Sequence, residues 1–86
     1  MTRNEKIARG DNAKRLLEAP MFVGVVEELL AESFGSFCAT EPLDNDVRES
    51  LYGDIRAIHR IKARLEYFVN DATMEVANAK LDDKSQ

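Results

Sequence analysis

The sequence predicts an all-α protein, an antiparallel helical hairpin that assembles into a bundle. Three observations carry this prediction. Apolar residues recur at three- and four-residue spacing over two long segments, no sustained period-two stretch occurs in the 86 residues, and the only prolines stand at 20 and 42. A chain of 86 residues makes one small domain near the lower limit for a self-sufficient core. That domain is assigned to residues 1–80, with 81–86 as a flexible polar tail.

The first element is a short N-terminal helix resting on Ile7, Leu16 and Leu17 and weakened by Gly10 and Asp11. Pro20 kinks the path, because its ring disfavours helical backbone at the residue before it. The same proline suits the first turn of a second helix, where its missing N–H costs nothing. This second helix carries Phe22, Val25, Val26, Leu29, Leu30, Phe34 and Phe37 at helical spacing. Pro42 and the polar run Asp44-Asn45-Asp46 then place a turn near residue 42. Asp46 and Glu49 have the spacing of a capping box that opens a long third helix. Its apolar stripe is Val47, Leu51, Ile55, Ile58, Ile61, Leu65, Phe68, Ala72 and Val76, roughly 45 Å of helix at 1.5 Å per residue.

The net charge of −4 is distributed in blocks. Residues 1–15 are net +3, residues 16–46 carry seven acids and no base, residues 47–66 are net +2, and the remainder is −2. Folding at residue 42 pairs positions whose numbers sum to about 84, so that acidic blocks meet basic ones along both halves. In that register Glu28 faces Arg56, Gly24 lies near Arg60, Arg9 faces Glu75 and Lys14 approaches Asp71. An acidic chain is a poor candidate for a general nucleic-acid binder. One cysteine forms no internal disulfide and fits a reducing compartment. The start leads into no apolar signal segment, and the run Ala19 to Val26 is far short of a membrane span. No membrane association is expected.

The stretch FGSFCATEPLDNDVRE (34–49) is the one place that resembles a site, and it reads as a turn. As a calcium loop beginning at Asp44 and Asp46 it would need glycine where Glu49 stands and a bidentate glutamate where Ile55 stands. Cys38 has no second cysteine, and the single histidine, His59, is some twenty residues away, so no zinc set forms. Cys38 reads as a buried, inert thiol and His59 as a residue at the core's boundary. No cofactor, metal or catalytic residue is expected. Arg56, Arg60 and Arg64 recur every four residues on one helix face and are the candidate nucleic-acid contact, although no aromatic residue interleaves with them in sequence. Phe22, Val26, Leu30 and Phe34 form the candidate partner interface, because a two-helix layer cannot enclose the whole stripe of the second helix.

Three segments, RLLEAPMF (15–22), FCATEPLDNDVRESLY (37–52) and IKARLEYFV (61–69), resemble small helical proteins encoded by tailed bacteriophages and prophages. The matching positions are Leu16, Leu17, Pro20, Phe22, Phe37, Thr40, Arg48, Glu49, Leu65 and Glu66. Phe37 stands where tryptophan is common in that group, and the glycine that often closes the last helix is absent. The resemblance implies a phage setting near head and packaging functions and brings no catalytic residues. The expected function is a non-enzymatic interaction protein, a structural or assembly accessory that forms homo-oligomers or binds another phage or host protein. It would sit in the bacterial cytoplasm or with the virion. The alternatives are an inhibitor that presents Glu27, Glu28 and Glu32 to a host nucleic-acid enzyme in place of phosphates, and a small DNA-packaging subunit using Arg56, Arg60 and Arg64.

Overall fold

The computed structural model describes residues 1–84, which form three helices, α1 (Arg3–Glu18), α2 (Pro20–Cys38) and α3 (Asn45–Lys84), with no strand among the described residues. α1 opens on a capping box formed by Thr2 and Glu5. The Glu5 N–H donates to the Thr2 hydroxyl at 3.2 Å, and the Thr2 N–H donates to the Glu5 carboxylate at 3.1 Å. The helix then runs unbroken through Gly10 and Asp11. Gly10 is buried, and a Cβ placed there would overlap the Ala72 side chain and sit 2.7 Å from the Phe68 carbonyl oxygen. It is therefore the point where the backbone of α1 lies against α3, and not a weak spot in the helix.

Ala19 is extended, with φ −68° and ψ 122°, and serves at once as the end of α1 and the start of α2. The proline that follows dictates this geometry, as the sequence predicts. The α2–α3 turn is closed by short-range polar contacts. The Thr40 hydroxyl donates to the Phe37 carbonyl at 2.7 Å, and the Glu41 N–H donates to the Asp44 carboxylate at 3.0 Å. The Arg48 guanidinium lies 4.9 Å from the centre of the Phe37 ring across the turn. Phe37, Thr40 and Arg48 thus hold this corner together.

The capping box expected at Asp46 and Glu49 does not open α3. α3 starts at Asn45, so Asp46 lies inside its first turn and the preceding position is Asp44, whose carboxylate turns back to Glu41. Asp44→Ala should therefore cost about 0.5–1.5 kcal/mol through loss of that turn hydrogen bond. Asp46→Ala should cost only the helix-dipole contribution, about 0.3–1 kcal/mol. Paired urea melts check this order, and a larger loss at Asp46 would reinstate the capping box.

α3 runs 40 residues, roughly 60 Å, and α1 and α2 lie in series along it, so the molecule measures 65 × 25 × 17 Å. α1 covers the C-terminal half of α3 and α2 the N-terminal half, in the antiparallel hairpin that the charge blocks predict. The half-buried line of α3 is Leu51, Ile55, Ile58, Lys62, Leu65 and Val69, ending at buried Ala72. This alternating four-and-three spacing keeps a seam facing a partner helix. Ile61, assigned to the stripe from sequence, is 56% exposed, and the aliphatic stem of Lys62 takes its place. α3 continues through residues 81–84, where a flexible tail is expected from sequence; residues 85 and 86 lie outside the described residues.

The molecule is thin. A compact chain of 86 residues has a radius of gyration of about 12 Å, and this one has 18.6 Å. Its accessible surface is 6676 Å², whereas a compact monomer of its mass exposes about 5,100 Å². The buried positions among the described residues are accordingly small, Gly10, Ala13, Val26 and Ala72.

Candidate interaction surfaces

A two-helix ribbon presents broad faces, made of the flanks of both helices, and narrow edges, made of the outer side of each helix. The position of every candidate residue follows from how its helix meets its neighbour. On α2, Val26 is buried and Phe22, Leu30, Ser33 and Phe37 are half-buried, so this line faces the long helix. The four residues expected to form a partner interface are therefore split. Val26 is only 9% exposed and belongs to the hairpin's own core, Phe22 and Leu30 are half-buried beside it, and Phe34 alone is open, at 62%. One flank of α2 stays uncovered, as its stripe predicts, but it is not the flank of Val26 and Leu30. Val25 and Leu29, each 45% exposed, occupy it, with Met21 one turn earlier. The apolar arc of α2 is wider than one neighbouring helix can cover, and no local signal says which part that neighbour takes.

On α3, Arg56, Arg60 and Arg64 are exposed, and each lies two residues from a half-buried seam position, Ile58 or Lys62. Two residues are 200° of helix, so the guanidinium ridge points away from α2. Tyr52, Ile55, Arg56, His59, Arg60 and Ala63 line one open depression, and Arg60, Ala63, Arg64 and Tyr67 line the next. The Arg64 guanidinium is 6.0 Å from the Tyr67 ring. Aromatic residues thus do border the ridge, at both ends, which sequence order concealed. His59 stands on this open face and not at the core's boundary. Cys38, expected to be buried, is exposed at the end of α2.

On α2, Glu28 and Glu32 are likewise two residues on from Val26 and Leu30, so they line the opposite edge of the ribbon. The Glu28–Arg56 pairing expected from the register does not form, because both side chains face outward from opposite sides. Among the described residues every ion pair joins α1 to α3: Arg9 to Asp71 at 3.2 Å, Lys6 to Glu75 at 3.4 Å, Arg3 to Glu75 at 3.1 Å and Arg3 to Asp82 at 3.0 Å. Arg9 pairs with Asp71, one helical turn before the Glu75 that the sequence suggests, and Gly10 against Ala72 places the register about two residues lower than the expected sum of 84. The Arg9 guanidinium also lies 4.1 Å over the Phe68 ring, covering an aromatic face that the thin hairpin would otherwise leave open.

The hydrogen bond from Arg3 holds the Glu75 carboxyl below the ordinary glutamate value of 4.5, and the Thr2 backbone N–H and hydroxyl do the same for Glu5. Both groups bind protons less readily folded than unfolded. Their contribution to stability is complete above the unfolded value and is lost as pH falls through the depressed folded value. The melting temperature should drop as pH falls below 4.5, and Glu75→Gln, which lacks the pair at any pH, should show a shallower drop. Identical acid limbs in circular-dichroism melts would remove Glu75 from this account.

Among the described residues no three His, Cys, Asp or Glu side chains converge as a metal site, and no helix is long and apolar enough to cross a membrane. No protein-family model, curated protein or solved structure matches the chain.

Proposed function

We infer that the protein is a rod-shaped interaction protein that works through its helical surfaces without chemistry of its own, and that it self-associates. The observation that carries this reading is the excess of accessible surface, roughly 1,500 Å² above a compact monomer of this mass. A stable interface takes about 800 Å² from each partner. The Val25–Leu29 flank supplies the apolar part of such a contact, and two ribbons stacked on it form a four-helix layer of ordinary thickness. The phage or prophage setting, as a structural or assembly accessory in the bacterial cytoplasm or with the virion, rests on the resemblance in RLLEAPMF, FCATEPLDNDVRESLY and IKARLEYFV.

Light scattering coupled to size-exclusion chromatography, at about 1 M salt to screen charge contacts, tests the reading. A dimer at micromolar concentration is expected. A monomer under the same conditions would overturn it.

A further inference from the structure

Three features outside the apolar flank point at the ribbon's edges. The outer edge of α2 is acidic through Glu28 and Glu32, and the outer edge of α3 is basic through Arg56, Arg60 and Arg64. None of these five makes an ion pair among the described residues, although the chain carries both signs. Glycines stand on the same edges. Gly24 and Gly35 on α2 and Gly53 on α3 each face open space, where a Cβ would meet nothing within 4 Å. Glycine weakens a helix relative to alanine, and nothing within the hairpin requires it at these three positions. Gly10 shows what an intrahelical glycine does in this chain, since there it admits a second helix at backbone contact.

We propose that the acidic α2 edge of one copy docks on the arginine edge of α3 of the next copy. The two edges point in opposite directions, so the contact is heterologous: each copy uses one edge on each neighbour. Such contacts close into rings or continue as filaments, and never stop at a two-fold dimer. A second copy fits the arginine ridge better than nucleic acid does. Its complement is already present on the same chain, whose net charge of −4 repels a polyanion at long range. The proposal rests on the self-association reading and adds a second, charge-dependent surface to it.

The experiment uses two charge-reversed chains. One carries Arg56→Glu, Arg60→Glu and Arg64→Glu, so both its edges are acidic; the other carries Glu28→Arg and Glu32→Arg, so both are basic. All substituted positions are exposed, and circular dichroism verifies that each variant folds. At about 0.01 M salt, where charges act over about 30 Å, the natural chain should sediment as assemblies of four or more copies. These should collapse to the salt-resistant unit at about 1 M salt. Each variant alone should remain at that unit size, and an equimolar mixture should regain the large, salt-sensitive species, because every edge then meets its opposite. Gly24→Ala with Gly35→Ala should raise the melting temperature of the unit while weakening the large species.

A natural chain that stays at unit size in low salt, or a mixture that fails to assemble, overturns the proposal. So does a single-stranded oligonucleotide that binds the natural chain and not the Arg-to-Glu variant while the chain stays at unit size; the ridge would then belong to phosphates. Loss of the salt-resistant dimer with the low-salt assembly retained would instead count against the apolar-flank reading alone.

Discussion

Gly10→Leu should separate α1 from α3 and destabilise the protein by about 3 kcal/mol or more. A side chain at this position meets the Phe68 carbonyl and the Ala72 side chain, and the backbone group does not move aside cheaply. Overpacking in a tight interior costs about 1–3 kcal/mol and sometimes more. The helix-propensity gain on replacing glycine, about 1 kcal/mol, offsets only a fraction of this. The cost is large for a molecule this thin, because typical stability for a chain of this length is about 4–13 kcal/mol in total. Freed from α3, a helix of 16 residues is marginal in water, so α1 should melt as a unit. The expected signature is loss of roughly a fifth of the helical ellipticity at 222 nm, with fast amide exchange confined to residues 3–18. Gly10→Ala should show a weaker form of the defect, relieved in part by Ala72→Gly, which removes the side-chain overlap and leaves the Phe68 carbonyl in place. A Gly10→Leu protein that melts like the natural one would mean that α1 does not depend on this contact.

The second large effect separates folding from assembly on a single helix. Val26→Glu should destabilise the hairpin by about 3 kcal/mol or more, since it removes a buried aliphatic side chain and places a carboxylate on the apolar line that faces α3. Leu29→Glu, three residues on and 45% exposed, should cost the folded chain about 0.5 kcal/mol or less. It should nevertheless dissociate the proposed salt-resistant dimer. Thermal melts and light scattering on both variants distinguish the two outcomes. If Val26→Glu stays fully folded and merely becomes monomeric, the line facing α3 has been misassigned. If Leu29→Glu stays dimeric, the apolar flank is not the dimer surface.

The local sequence determined the elements. Helical spacing over 22–37 and 47–76, a proline that forbids helix at Ala19 and a polar run after Pro42 act within one or two turns, and each appears where those signals place it. The short turn between α2 and α3 imposes the antiparallel direction, and the charge blocks anticipated, within a few residues, the pairing of α1 with α3 but not that of α2 with α3. The candidate surfaces were legible as residue groups only. Phe22, Val26, Leu30 and Phe34 share an apolar stripe, yet three of them turn inward to differing degrees, while Val25 and Leu29 stay open. Arg56, Arg60 and Arg64 share a face, but that it points away from α2, between Tyr52 and Tyr67, depends on which seam α3 presents. Those choices belong to tertiary structure. An amphipathic arc wider than its neighbour offers several equivalent faces, and contacts between residues far apart in sequence, Gly10 against Ala72 and Arg9 against Asp71 among them, select one.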